Sequence, residues 1–176
     1  FEPGEEKNMV GVSTKKFFTE LLEKHESAMD PQKAVDIFDG IYEKSLSTNL
    51  KAFEGAKTLP QLLKERGLKL GLVSGSTAVQ VNIVLNFLGI KDLFEVVISI
   101  DDVAHSKPDP EGFLLAAQKL GVTPEECVVL EDATAGVRAG KTAGMRVIGV
   151  RNNGDQDLSE ADEIVDNLTQ VVMRPE

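Results

Sequence analysis

The sequence predicts an α/β protein in which a small helical unit precedes a parallel sheet with crossover helices. From residue 58 onward, short apolar runs alternate with amphipathic segments, a pattern typical of parallel strands joined by helices. Before residue 54, the apolar positions recur only at helical spacing. We therefore predict a partial helical unit over residues 1–53 and a sheet-containing unit over residues 54–176.

Two amphipathic helices account for the helical unit. The first is predicted over residues 13–25, where phenylalanines and leucines recur at helical spacing. The second begins at Asp30 and Pro31 and carries a broad apolar stripe as far as Leu46. The acidic string over residues 36–40 (DIFDG) lies on this stripe, so we interpret it as an acid pair on the surface of a helix.

Helices and strands then alternate through the rest of the chain, and glycines close the helices. The predicted helices cover residues 58–66, 77–88, 111–120 and 134–143. The predicted strands cover residues 68–73, 94–100, 127–130 and 145–150, with a possible edge strand over residues 163–165.

The net charge of the chain disfavours two classes of binding partner. The formal net charge of -10 repels nucleic acid phosphates and anionic membrane surfaces, so neither is an expected partner.

No stretch reaches transmembrane length and no signal peptide opens the chain. The single cysteine, Cys127, fits a reducing compartment and is interpreted as packing. We expect a cytoplasmic protein, and a monomer by default because no large apolar patch is evident.

Polar residues follow three of the predicted strands, at the edge where parallel α/β sheets bind their ligands. They are Ser74 with Gly75, then Lys107, then the pair Glu131 and Asp132. A hydroxyl with backbone amides at the start of a helix can bind phosphoryl oxygens, and a lysine can neutralise their charge. Carboxylates supply the hard oxygen ligands that Mg²⁺ prefers. Together they predict a phosphate site.

Each residue also has a simpler interpretation. Glu131 and Asp132 could form an ordinary acidic N-cap, and Lys107 could be a solvated lysine before a proline. Asp101 and Asp102 could cap a helix or line the rim of the site, and the sequence does not decide between these roles.

A competing motif lies over residues 135–142 (AGVRAGKT), which satisfy a loose P-loop pattern after a strand. The lysine of a P-loop opens a full helix, whereas only Thr142 and Ala143 separate Lys141 from Gly144. We therefore interpret these residues as one helix.

Three segments carry a resemblance to a known family. Residues 72–77 (LVSGST), 106–113 (SKPDPEGF) and 129–140 (VLEDATAGVRAG) resemble motifs two, three and four of the haloacid dehalogenase-like hydrolases. The most similar branch contains beta-phosphoglucomutase and the sugar-phosphate phosphatases. Residues 10–14 (VGVST) and the helices that follow are similar to the helical cap of that branch. The resemblance implies a Rossmann-like core with a cap.

The resemblance also implies a mechanism. In this family an aspartate attacks phosphorus with the help of Mg²⁺, and water then hydrolyses the phosphoaspartate. By matching position, Ser74 and Gly75 would bind phosphate, and Lys107 would bridge the phosphoryl group and the nucleophile. Asp132 with Glu131 would hold the metal, directly or through water.

The nucleophile belongs to motif one, Asp-x-Asp-Gly after an apolar strand, and no segment here matches it. Residues 36–40 have the wrong spacing and lie on a helix. Because the chain opens at Phe1, we expect the first strand, central in the sheet, and the initial cap helix to precede it. The alternative is a non-catalytic binding protein on the same scaffold.

Mutase activity is the less favoured enzymatic alternative. The mutases continue motif two with a lysine and an asparagine that help to bind a second phosphate, and Thr77 and Ala78 stand in those places. Thr14 likewise stands where the cap of the mutases has an arginine. A site without these donors holds one phosphate more readily than two.

Overall fold

The computed structural model describes residues 14–152 and 155–171, in which two helices precede a region where helices and short parallel strands alternate, as the sequence predicts. The helices are α1 (Thr14–Lys24), α2 (Pro31–Asn49), α3 (Thr58–Glu65), α4 (Ala78–Leu88), α5 (Glu111–Leu120) and α6 (Thr134–Thr142). The strands are β1 (Gly71–Val73), β2 (Val96–Ile98), β3 (Val128–Glu131), β4 (Arg146–Val150) and β5 (Glu163–Val165). The predicted α/β class is confirmed, and the predicted edge strand is β5.

The strands form two parallel sheets within the described residues. β1 pairs with β2, while β3, β4 and β5 pair in that order. All the pairs are parallel, so the strands within each sheet end at a common edge. No backbone pairing joins the two sheets within the described residues.

The two N-terminal helices pack on each other around Phe17, Phe18 and Ala34. α2 is capped by Asp30, whose carboxylate accepts hydrogen bonds from the backbone N–H groups of Gln32 (2.7 Å) and Lys33 (3.2 Å). This cap, followed by Pro31, explains why the helix begins at the predicted position. α2 also contacts α4, so the helical unit touches the sheet-containing unit. The boundary at residues 53 and 54 stays a prediction.

The acid pair of residues 36–40 lies on α2, as interpreted from its spacing. Asp36 is exposed and accepts a hydrogen bond from Gln32 Nε2 on the same helix (3.0 Å). Asp39 is half-buried and accepts one from Gln80 Nε2 on α4 (3.0 Å). Only Asp36 therefore behaves as a simple surface acid.

The first strand is shorter than the apolar run that predicts it. After α3, the Gly67 N–H donates to Lys64 O (2.9 Å) and the Leu68 N–H donates to Leu63 O (3.2 Å). These bonds close the helix in a Schellman arrangement, with Gly67 at φ +79°. Because Leu68 closes the helix, the strand begins only at Gly71, and its predicted start at residue 68 is wrong.

The second strand is also shorter than predicted, ending at Ile98 rather than at residue 100. Ser99 and Asp102 form a reciprocal capping box that starts a 3-10 turn over Ile100–Asp102. The Asp102 carboxylate accepts from the Ser99 N–H (2.8 Å) and from the Ser99 hydroxyl (2.7 Å). This local pairing removes residues 99 and 100 from the strand.

The largest apolar cluster holds α6 against β3 and β4. It includes Val129, Val137 and Val147, and Val147 is fully buried. Gly140 permits the close approach, because a Cβ at this position would lie 2.8 Å from Val147 Cγ2. The residues that match the loose P-loop pattern thus lie in α6, where Lys141 pairs with Asp162 at 2.5 Å. The interpretation of this motif as one helix is confirmed.

Cys127 precedes β3 and is half-buried. Its thiol donates a hydrogen bond to Thr123 O (3.3 Å). Burial raises the pKa of the thiol, and the nearby acids Glu126 and Glu125 raise it further. A protonated thiol is a poor nucleophile, which supports the packing role.

None of the helices in residues 14–152 and 155–171 combines the length and the apolar character that crossing a bilayer requires.

Candidate active site

Ser74 and Gly75 occupy the turn between β1 and α4. The Ser74 N–H donates to Ile98 O (2.9 Å), which anchors the turn to the end of β2. The Ser74 hydroxyl accepts a hydrogen bond from the Ser76 N–H (3.1 Å), and Gly75 is exposed. The turn therefore places a hydroxyl and backbone amides at the start of a helix, the arrangement that binds phosphoryl oxygens.

The start of α4 is fixed by two further interactions. Thr77 and Gln80 form a reciprocal capping box, in which each side chain accepts a hydrogen bond from the other residue's backbone N–H (3.3 Å each). The Ala78 N–H donates to Asp101 Oδ2 (2.9 Å). Asp101 therefore caps α4, and Asp102 accepts hydrogen bonds within its own turn. The sequence left open whether these two residues cap a helix or line the rim of the site, and both act as caps.

Lys107 connects the carboxyl ends of β1 and β3. Its Nζ donates to Val73 O (3.1 Å), lies 4.9 Å from the centre of the Phe113 ring and forms an ion pair with Glu131. The lysine side chain is 21% exposed and that of Glu131 is 10% exposed, so water screens this pair only weakly. Lys107 is thus not a freely solvated lysine.

Glu131 is the last residue of β3, which extends one residue beyond its predicted end. Its carboxylate lies directly over Gly136 in α6, where an added Cβ would overlap it. Asp132 follows immediately and is half-buried. Two adjacent hard oxygen donors fit Mg²⁺ by chemistry.

Gln156 is a residue that the sequence alone did not single out. Its Oε1 accepts hydrogen bonds from the backbone N–H (3.1 Å) and the hydroxyl (3.3 Å) of Thr134, at the start of α6. It therefore fixes the helix that follows Glu131 and Asp132. No local pattern indicates this contact, because it joins residues 22 positions apart.

The loop before Lys107 is braced by Glu111. The Glu111 carboxylate accepts hydrogen bonds from the backbone N–H groups of Ala104 (2.9 Å) and His105 (2.8 Å), and it contacts His105 Nδ1 (2.9 Å). His105, Asp109 and Glu111 lie close enough to hold a metal ion. The Asp109 carboxylate already accepts from the Glu111 N–H (2.9 Å), so this trio is interpreted as a brace.

Glu111→Gln is expected to weaken the fold near neutral pH, with a smaller effect in acid. The backbone amides of Ala104 and His105, and then the His105 ring, hold the pKa of Glu111 below its usual 4.5. The stabilisation is therefore complete above 4.5 and is lost as the pH falls through the folded pKa. Urea unfolding of both proteins across this range measures the difference, with Glu65→Gln as the control. A difference that grows in acid would contradict the prediction.

The structure brings the predicted phosphate-binding residues together. One pocket is lined by Ser74, Gly75, Ser106 and Lys107, and Lys107 joins it to Glu131. Asp132 follows Glu131 at the same edge. The pocket is bounded by the carboxyl ends of β1 and β2, the edge at which parallel α/β sheets bind their ligands.

Comparison with known proteins agrees with this geometry. A family model described as haloacid dehalogenase-like hydrolase matches residues 1–150. The chain belongs to this family. The resemblance carried by the three sequence motifs is thereby confirmed.

Two curated haloacid dehalogenase-like relatives are phosphatases. One is validoxylamine A 7'-phosphate phosphatase of Streptomyces hygroscopicus subsp. limoneus, 38% identical over 119 residues, which are 67% of this chain and 56% of that protein. The other is fructose-1-phosphate phosphatase YqaB of Escherichia coli (strain K12), 44% identical over 78 residues, which are 44% and 42% of the two chains. The chain thus spans about half the length of these relatives.

A solved structure confirms the Rossmann-like haloacid dehalogenase fold. Beta-phosphoglucomutase (pgmB) of Clostridium difficile superimposes with a TM-score of 0.82 at 28% identity, covering 98% of this chain and 78% of that one.

Proposed function

We propose that this chain forms the phosphate-binding and metal-binding part of a Mg²⁺-dependent phosphohydrolase that acts on a small phosphorylated metabolite such as a sugar phosphate. The observation that carries the proposal is the meeting of Ser74, Gly75 and Lys107 around one pocket, with Lys107 paired to Glu131. A phosphate dianion needs hydroxyl and amide donors together with a compensating cation, and these residues supply both.

Each residue has a distinct part in the proposed reaction. The Ser74 hydroxyl and the amides of its turn orient the phosphoryl oxygens, and Lys107 neutralises the charge that develops on them. Asp132, with Glu131 beside it, would hold Mg²⁺, which would supply further charge stabilisation. The attacking group is the aspartate of motif one that the family resemblance implies.

Phosphosugar mutase activity is a second candidate, because the superimposed Clostridium difficile protein is a beta-phosphoglucomutase. Binding a second phosphate requires extra donors beside the first. Here the Thr77 hydroxyl accepts from the Gln80 N–H, and the Ala78 N–H donates to Asp101. Since both positions serve to cap α4, the local contacts favour hydrolysis.

Phosphate release from a panel of sugar phosphates, with and without Mg²⁺, tests the proposal on the protein expressed from its complete reading frame. We expect release that requires Mg²⁺, and Ser74→Ala should lower kcat/KM by roughly tenfold to a hundredfold because one phosphoryl ligand is lost. Ser159→Ala, at an exposed serine after the fourth strand, is the matched control. Interconversion of sugar phosphates without release would support the mutase, and phosphate binding without turnover would support a binding protein.

A further inference from the structure

Gln80 is buried, with 6% of its surface exposed, and it uses both ends of its side-chain amide. Its Oε1 accepts from the Thr77 N–H (3.3 Å), and its Nε2 donates to Asp39 Oδ1 on α2 (3.0 Å). Thr77 ends the turn that also contains Ser74 and Gly75. One side chain thus links the helical unit to the last residue of the phosphate-binding turn, residues 74–77.

The contact between Gln80 and Asp39 buries part of an acidic group, which costs free energy that an apolar contact would not cost. Burial raises the pKa of Asp39, the hydrogen bond from Gln80 lowers it, and the charges of Asp36 and Asp101 raise it. α4 itself carries no charged residue. The ionised form of Asp39 is therefore disfavoured by desolvation and by two like charges, and Gln80 partly offsets this cost.

Separation of α2 from α4 would change the environment of Gln80. Without Asp39, the Nε2 group of a buried amide is left without this acceptor, and such a group is costly unless it reorients towards water. Reorientation of Nε2 also moves Oε1, because both atoms belong to one planar amide. The hydrogen bond to the Thr77 N–H is then lost, and with it half of the capping box at the start of α4.

We propose that Gln80 is a positioning residue that couples the docking of α2 on α4 to the shape of the phosphate-binding turn. When α2 is docked, Asp39 fixes Gln80, Gln80 fixes the Thr77 backbone, and the turn keeps the form that binds phosphate. The inference rests on the proposed function for its ligand, whereas the coupling itself can be measured without any ligand.

Hydrogen exchange at the Thr77 amide measures the coupling directly. In Asp39→Ala we expect this amide to exchange roughly threefold to tenfold faster, the effect of losing one hydrogen bond. Asp39→Asn keeps an acceptor oxygen and should restore slow exchange. Asp36→Ala is the matched control, since it removes a glutamine–aspartate hydrogen bond of the same 3.0 Å length on the exposed face of α2. The amide of Val147, in the core of the other sheet, reports on global unfolding.

The binding of inorganic phosphate, in the presence of Mg²⁺, supplies the second measurement. We expect Asp39→Ala to weaken phosphate binding by a similar factor, while Asp39→Asn and Asp36→Ala bind as the unaltered protein does. Unchanged exchange at Thr77 in Asp39→Ala would overturn the coupling. Faster exchange with unchanged phosphate affinity would also overturn it, because the contact would then be structural only. If the unaltered protein bound no phosphate, the proposed function would fail, and the exchange measurement would still decide whether α2 holds the turn.

Discussion

Asp132→Asn is expected to abolish Mg²⁺-dependent phosphate release while the protein stays folded. The substitution keeps the size of the side chain but removes the charge that attracts a divalent cation. Asp132 is the direct ligand that we propose, and Glu131 beside it is paired with Lys107. We expect kcat/KM to fall by roughly two orders of magnitude or more, measured at saturating Mg²⁺.

Asp92→Asn provides the matched control for this prediction. Asp92 is an exposed aspartate in the 3-10 turn Lys91–Leu93, at the amino end of β2 and so opposite the carboxyl edge that carries the site. It should retain full turnover. A thermal unfolding curve of each variant separates loss of metal from loss of fold. Undiminished turnover in Asp132→Asn would remove Asp132 from the metal site.

Gly136→Ala is expected to damage the site and the fold together. An alanine Cβ at this position would overlap the Glu131 carboxylate. A surface glutamate could swing away, but this one is 10% exposed and paired with Lys107, so its displacement breaks the ion pair. We expect a loss of about 1–3 kcal/mol in the free energy of unfolding, as in other overpacked sites. Turnover should fall as well, because Lys107 loses the partner that orients it.

Gly40→Ala is the corresponding control, since it makes the same chemical change in a different helix. Gly40 lies within α2, and apart from its chain neighbours and the backbone of its own helix no described atom lies within 4 Å of its added Cβ. Alanine should therefore stabilise the protein by roughly 0.5–1 kcal/mol through helix propensity. Urea unfolding measures both variants. If Gly136→Ala proved as stable as Gly40→Ala, the packing of Glu131 against α6 would be wrong.

Much of the fold could be predicted because its signals are local. Helical spacing, the Asp30–Pro31 cap and the glycines after the helices locate the elements to within a few residues. The capping box of Thr77 and Gln80 was a further local signal, since a threonine followed three residues later by glutamine marks the start of a helix. It could have drawn attention to Gln80 from the sequence alone.

The ends of the strands were predicted less well, because local hydrogen bonds compete with strand pairing for the same backbone groups. The Leu68 N–H closes α3, and the Ser99 and Asp102 pair starts a turn, so both apolar runs yield short strands. An apolar run shows that a segment is buried, but the partner of each backbone group decides whether that segment is a strand.

By itself, the sequence determined the order of the elements and the residues that follow each strand, Ser74, Lys107, Glu131 and Asp132, because these depend on spacing along the chain. Only the tertiary structure decided which of them meet. Lys107 pairs with Glu131, which lies 24 positions away in the sequence, and Gln80 donates a hydrogen bond to Asp39, which lies 41 positions away. No periodic pattern specifies a partner at such separations along the chain. Packing of helices on strands brings such groups together. Because the groups are buried, their pairing matters for stability, since an unpaired polar group in the interior costs free energy.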